Sequence, residues 1–158
     1  MKKTTACFTG HRLIRRELVP NIEARLEAVI EKLVVRGIIH YGCGGAIGFD
    51  AIAGNAVLRM KKRFPQIRLI MVLPCRDQDA KWSQSDKDNY RWLLAAADKT
   101  VYMQDAYDNQ CMHKRNRHLV EHSSVCIAYL TNDRSGTGYT ARYAESQGVE
   151  IINIAKSA

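Results

Sequence analysis

The sequence predicts an α/β protein with a Rossmann-like three-layer fold, in which a mostly parallel sheet of about six strands carries helices on both faces. Short apolar runs of strand length alternate with longer amphipathic segments along the whole chain. Such alternation predicts a parallel sheet, because a right-handed crossover through a helix joins each strand to the next. The 158 residues contain no repeat, linker or low-complexity tract, so we expect a single domain over 1–158.

Six apolar runs are predicted to be the strands of this sheet. They are short, largely apolar and nearly continuous, as is typical of strands that are covered on both faces. The predicted strands are 5–9, 38–41, 67–73, 100–103, 125–130 and 150–154.

Five amphipathic segments are predicted to be the helices between these strands. Pro20 suits the first turn of the first helix, which should stop before Gly37. Asp50 is the predicted N-cap of the second helix and Ser85 that of the third. The remaining predicted segments are 50–63, 90–97, 112–122 and 139–147.

The composition indicates a folded protein with anionic partners. Hydrophobic residues make up 46% of the chain and charged residues 25%, as in ordinary globular domains. The net charge of +8 favours nucleotides, nucleic acid or acidic proteins as partners. No stretch is long and apolar enough for a membrane helix or a signal peptide, and the five cysteines are scattered without a CxxC pair, so we expect a cytoplasmic protein without disulfides or structural zinc.

Four polar segments should meet at the carboxyl edge of the sheet, where open α/β sheets bind their ligands. The first is Thr9, Gly10, His11 and Arg12, directly after the first strand. The guanidinium of Arg12 is suited to phosphate oxygens, and Gly10 would allow a ligand to approach the backbone closely.

The second segment is the glycine-rich junction 42–50 between the second strand and its helix. The amides of Gly44 and Gly45 are predicted to bind an anion, and Asp50 is a further ligand candidate. The junction matches neither GxGxxG nor GxxxxGK[ST], so the sequence contains neither standard phosphate-binding fingerprint. Replacing Gly45 with valine is expected to block the ligand without unfolding the domain.

The third segment is Arg115-Asn116, on the helix that precedes the fifth strand. The same helix carries His118 and His122 at the i, i+4 spacing that can hold a metal, but the sequence offers no HExxH motif and no third ligand. We therefore predict a polar contact from Arg115 and Asn116 and no metal site.

The fourth segment, 133–142, leads into the last helix. Ser135 and Thr137 offer hydroxyl groups, and Gly136 and Gly138 allow helix amides to approach a phosphate. The helix is expected to begin near residue 138 or 139.

Together, the runs 9–12, 43–50, 115–116 and 136–142 resemble the SLOG superfamily, named after the Smf/DprA and LOG proteins. Within it the chain is most similar to the short, single-domain YpsA-like proteins of bacteria, in order and spacing over nearly its whole length. The resemblance implies a Rossmann-like fold with a pocket for a nucleotide or an ADP-ribose-like ligand. It also implies a role in sensing such ligands or in nucleic-acid transactions.

Three functions follow as hypotheses. The leading one is binding or sensing of a nucleotide-derived, phosphate-bearing ligand. The second is a LOG-type phosphoribohydrolase, although Thr140 stands where those enzymes carry a glutamate and cannot act as a carboxylate. The third is DprA-like binding of single-stranded nucleic acid, which pairs basic and aromatic side chains. A protein partner and a homo-oligomer are compatible with each hypothesis.

Overall fold

The structure is a computed structural model that describes residues 1–132 and 135–155. Within this part of the chain, six strands form one sheet in which every neighbouring pair is parallel. The strands are β1 (Thr5–Gly10), β2 (His40–Cys43), β3 (Arg68–Leu73), β4 (Lys99–Tyr102), β5 (Val125–Tyr129) and β6 (Glu150–Asn153). The α/β prediction is confirmed, and the six predicted strands match these positions closely.

Five α-helices occupy the described residues, one in each connection between successive strands. They are α1 (Val19–Val35), α2 (Phe49–Arg63), α3 (Gln84–Ala96), α4 (Cys111–Glu121) and α5 (Gly136–Ser146). Short 3-10 turns cover Lys2–Thr4 and Arg16–Leu18.

The predicted starts of three helices were wrong, because side-chain capping and backbone geometry place them earlier. Helix α3 begins after Ser83, whose hydroxyl accepts a hydrogen bond from the Asp86 amide, and not at Ser85. Helix α2 has Gly48 as its N-cap, so that Asp50 lies inside the first turn. Helix α5 begins at Gly136, because Ser135 caps it.

The helices cover the two faces of the sheet unequally. Helices α1, α2 and α3 pack on one face, where the large core contains Leu26, Phe49 and Leu93. Helices α4 and α5 pack on the other face over a smaller core with Val120 and Ala144. The sheet is therefore the middle of three layers, as predicted.

The strand order is β4-β3-β2-β1-β5-β6, so the chain changes direction at the centre of the sheet. From β1 the chain adds strands outward to β4 and then returns to place β5 on the other side of β1. The connections after β1 and β5 lead to helices on opposite faces, which opens a crevice between them at the carboxyl ends of both strands. None of the helices in the described ranges has the length and apolar character needed to span a membrane.

Candidate functional site

A cavity of about 640 Å³ lies in this crevice, a volume that falls in the range of small-molecule sites. Its wall combines the loops after β1 and β5, the start of α2, the first turn of α5 and one face of α4. The sequence-predicted residues in this wall are Thr9, Gly10, His11, Arg12, Asp50, Arg115, Asn116, Ser135, Gly136 and Thr137. Gly44, Gly45 and Gly138 lie outside the wall.

Arg115 is a buried charged residue in the wall of the cavity. Only 5% of the residue is exposed, and the burial lowers the pKa of its guanidinium. The guanidinium donates to the Gly44 carbonyl (2.5 Å) and to Oδ1 of Asn116 (2.7 Å). Both acceptors are neutral, so these two hydrogen bonds orient the guanidinium without cancelling its charge.

Arg12 brings a second guanidinium to the same place from the loop after β1. One of its terminal nitrogens lies 3.9 Å from the sulfur of Met112, and a terminal nitrogen of Arg115 lies 3.8 Å from that same sulfur. The two arginines therefore flank one thioether. Repulsion by the Arg12 charge also lowers the pKa of Arg115. The two positive charges are therefore close enough to interact with each other at this cavity.

Asp50 is the carboxylate in the described part of the cavity wall. It is buried, and burial raises the pKa of its carboxyl group although the charges of Arg115 and Arg12 act in the opposite direction. Its Oδ2 accepts a hydrogen bond from the Ala46 amide at 3.2 Å. Two arginines against one carboxylate leave the described part of the wall with an excess of positive charge.

His11 joins the two loops that border the crevice. Its Nε2 accepts the Thr131 amide at 2.9 Å, so this nitrogen carries no proton, because a backbone N–H only donates. Burial lowers the pKa of the imidazole, which favours the neutral form that this hydrogen bond requires.

The first turn of α5 borders the cavity with Ser135, Gly136 and Thr137. The Ser135 hydroxyl accepts a hydrogen bond from the Gly138 amide (3.1 Å) and donates one to the Asn132 carbonyl (2.7 Å). The Ser135 hydroxyl and the Gly138 amide are therefore both engaged in capping the helix. The amides of Gly136 and Thr137 precede that capped amide, in the turn whose N–H groups have no intrahelical acceptor. A Cβ at Gly136 would meet no atom of the described residues within 4 Å, so this glycine borders open space in that part of the chain.

The glycines of the junction after β2 have a packing role that the sequence did not reveal. A Cβ on Gly44 would collide with the Arg115 guanidinium. Gly45 has a φ of +71°, and its Cβ would lie 2.8 Å from Leu73 in the core. The expectation that a valine at Gly45 would leave the fold intact was therefore wrong, since the backbone would be strained and the core displaced.

Gly10 and Gly48 likewise make room for protein atoms. A Cβ on Gly10 would overlap the Phe49 ring, and one on Gly48, whose φ is +79°, would overlap the Arg12 carbonyl. The Phe49 amide also donates to the His11 carbonyl at 3.0 Å. The loop after β1 therefore crosses directly over the start of α2, which positions Arg12.

The wall also contains Met112, His113 and Asn132, which sequence reasoning did not single out. Met112 was detectable, because it precedes Arg115 and Asn116 by three and four residues and so shares their helix face. The contributions of His113 and Asn132 depend on how α4 and the loop after β5 pack, which no local pattern reveals.

The structure also shows the surroundings of Thr140 and of the histidine pair His118 and His122. Thr140 is buried and its hydroxyl donates to the Gly136 carbonyl at 3.2 Å, so it does not line the cavity. His118 and His122 stack on each other, and no group of three metal-binding side chains occurs in 1–132 and 135–155. Asp133 and Arg134 of the fourth segment lie outside the described residues.

Sequence comparison finds relatives across most of the chain. A family profile, YpsA, described as the YspA SLOG family, matches residues 11–153. The uncharacterized SPbeta prophage-derived protein YoqJ of Bacillus subtilis is 29% identical over 78% of this chain and 80% of its own length. A UPF0398 protein of Brevibacillus brevis is 25% identical over 78% of this chain and 61% of its own length.

Two solved structures share the fold. DNA processing protein A (DprA) of Streptococcus pneumoniae superposes with a TM-score of 0.69 at 16% identity, over 95% of this chain and 50% of that one. Helicobacter pylori DprA, described with a unique single-stranded DNA binding mode, gives 0.68 at 20% identity, over 95% of this chain and 64% of that one. The chain therefore spans about half to two thirds of these longer proteins.

Proposed function

The chain belongs to the YpsA family of SLOG proteins, and we propose that its cavity binds a nucleotide or nucleotide-derived ligand through a phosphate group. The observation that carries this proposal is the pair of guanidinium groups of Arg12 and Arg115 beside one buried carboxylate. A cavity wall with excess positive charge selects an anion.

The phosphate would lie between the arginines and the first turn of α5. Arg115 is fixed by neutral acceptors, so little side-chain entropy remains to be lost when it binds an anion. The amides of Gly136 and Thr137 add donors at the positive end of a helix dipole, the arrangement that often binds phosphate groups in proteins.

The remaining volume suits the nucleoside part of such a ligand. A cavity of about 640 Å³ is much larger than one phosphate group needs. Phe8, Ala46 and Met112 give its wall an apolar portion beside the charged one. This combination favours an amphipathic ligand over inorganic phosphate.

Single-stranded DNA is a second candidate ligand. Helicobacter pylori DprA, which shares the fold, is described with a single-stranded DNA binding mode, and this chain has a net charge of +8. A DNA strand would bind through its backbone phosphates, so its affinity would fall steeply with salt concentration, while that of a mononucleotide would fall much less.

Isothermal titration tests the proposal with AMP, adenosine, ADP-ribose, inorganic phosphate and a deoxyadenylate strand. We expect AMP or ADP-ribose to bind more tightly than both adenosine and phosphate, because only they occupy the charged and apolar portions together. Absence of binding by AMP and ADP-ribose at millimolar concentration would reject the nucleotide site. Strongly salt-dependent binding of the strand alone would instead support the second candidate.

A further inference from the structure

A second cavity of about 470 Å³ adjoins the first on the side of α4 and α5. The described residues of its wall are Gln110, His113, Lys114, Arg117 and Tyr139. His113 is in the walls of both cavities, so the two meet at this side chain. None of the contacts described for the first cavity involves Lys114, Arg117 or Tyr139.

The second cavity is cationic. The Lys114 ammonium donates to the Gln104 side-chain oxygen at 3.1 Å, and Arg117 donates to the Tyr139 hydroxyl at 3.1 Å. Both acceptors are neutral. Among the ion pairs found in the described ranges none includes Lys114 or Arg117, although Asp108 interacts electrostatically with Lys114 and Glu121 with Arg117. Neither carboxylate belongs to the described wall, so the charge of that wall itself is positive.

Ring contacts fix the side chains of His113, Tyr139 and Arg117 in the wall of the second cavity. The rings of His113 and Tyr139 meet edge to face, with centroids 5.2 Å apart. Arg117 lies over the Tyr143 ring, and the Tyr143 hydroxyl donates to Glu121 at 2.6 Å. Tyr139 is nevertheless 40% exposed, so part of its ring surface remains available for contact with a planar group.

We infer that the second cavity binds a second nucleotide unit of an extended ligand, with its phosphate at Lys114 and Arg117 and its base against Tyr139. This inference rests on the proposed nucleotide site in the first cavity. Cationic side chains beside an exposed aromatic ring provide the two contacts that a linked nucleotide offers, a phosphodiester charge and a flat base. The same chemistry belongs to a free dinucleotide and to the next residue of a single strand.

The test compares AMP, the 5′-phosphorylated dinucleotide pApA and a longer deoxyadenylate strand by isothermal titration. We expect pApA to bind about tenfold more tightly than AMP, because it adds a charge-assisted contact. The variants Arg117→Gln and Lys114→Gln should each weaken pApA severalfold and leave AMP unchanged. Tyr139→Ala should do the same, because the inference places the base of the second unit against this ring. Arg91→Gln, at an exposed position of helix α3 outside both cavity walls, is the matched control and should change neither affinity.

The outcomes separate this inference from the nucleotide site itself. Equal binding of AMP and pApA, or equal weakening of both by Arg117→Gln and Lys114→Gln, would overturn the second subsite and leave the first intact. Absence of AMP and pApA binding would overturn both. A strand that binds more tightly than pApA, and loses that gain in Arg117→Gln, would support the subsite and identify a nucleic acid as the source of the second unit.

Discussion

Arg12 and Arg115 contribute the same charge to the cavity but are held very differently. Arg115 is buried and fixed by two hydrogen bonds, and a Cβ at Gly44 would collide with it. Its removal would leave the Gly44 carbonyl without this donor and damage the fold. Arg12 is exposed and has a weak contact with the Met112 sulfur, so it can be changed with little structural effect.

Arg12→Ala should therefore weaken AMP more than adenosine. A charge-assisted hydrogen bond contributes about 1.5–3 kcal/mol, and the exposure of Arg12 favours the lower end, about tenfold in affinity. Titration of both ligands measures the difference. Arg15→Ala removes an exposed arginine from the same loop outside the cavity wall and should have no such effect. Equal losses for AMP and adenosine would show that Arg12 does not contact phosphate.

Gly136→Val is the suitable steric block of the cavity, in place of a change at Gly45. A Cβ at Gly136 meets no neighbour among the described residues, so the valine should leave the melting temperature nearly unchanged. Its branched side chain would occupy the space beside the first turn of α5 and should abolish AMP binding. Gly136→Ala should have a smaller effect on affinity. Full binding by the valine variant would place the ligand away from this turn.

At the scale of elements, the cavity depends on how the loop after β1 crosses the start of α2. Gly48 is the crossing point, because its positive φ and missing side chain admit the Arg12 carbonyl. The Phe49 amide holds the loop against the helix by donating a hydrogen bond to the His11 backbone carbonyl. The position of Arg12 is thus set by a helix that lies outside its own segment.

Gly48→Ala should destabilise the protein and weaken AMP binding together. A positive φ costs a residue with a side chain about 1–3 kcal/mol, and the loop must also move away from the new methyl group. Gly148→Ala is the matched control, since Gly148 has a φ of +74° but open space around it. Urea unfolding should show a larger loss for Gly48→Ala, and only that variant should lose affinity. Equal effects of the two variants would contradict the crossing-point role.

The hydrogen bond between His11 and Thr131 should make the two border loops sensitive to pH. Burial lowers the pKa of His11 from the ordinary 6.5, so the bond is intact above pH 6.5 and is lost as pH falls through the lower pKa of the folded state. Hydrogen exchange of the Thr131 amide should then lose protection relative to the Phe49 amide, which binds the His11 carbonyl instead. Parallel behaviour of both amides across this pH range would contradict the prediction.

At the scale of the whole molecule, the buried carboxylate of Asp50 lowers the stability of the fold at neutral pH, while it adds a negative charge to the cavity wall. Burial raises its pKa above the unfolded value near 3.8, so the native state binds this proton more tightly than the unfolded state does. The stability associated with the proton is present below the unfolded pKa and is lost as pH rises through the folded pKa. Native proteins often retain such a cost at functional sites.

Asp50→Asn should therefore raise the melting temperature at neutral pH, and the gain should disappear as pH falls toward 3.8. The asparagine oxygen can still accept the Ala46 amide. Removal of the negative charge should also increase AMP affinity. Asp98→Asn is the control and should lower the melting temperature at neutral pH. Burial raises the pKa of Asp98, but hydrogen bonds from Lys61 and the Leu69 amide outweigh it and lower that pKa overall. A neutral-pH loss of stability in Asp50→Asn would contradict the prediction.

The order and type of the elements were predictable from the sequence because they depend on neighbouring residues. Apolar runs and amphipathic periods identified each strand and helix, and the polar segments after the strands directed attention to Arg12 and Arg115. The rule that parallel strands end at one edge brought these segments together. Their assignment as ligand-binding residues remains a prediction.

Only the tertiary structure decided which atoms meet across long separations in the chain. The strand order places β5 beside β1, and α4 then brings Arg115 to the Gly44 carbonyl, 71 residues away in sequence. That contact shows why Gly44 lacks a side chain, and the packing of α4 against α5 creates the cavity at Lys114, Arg117 and Tyr139. A local pattern specifies the period of a helix or strand, whereas such contacts depend on the relative placement of whole elements in space.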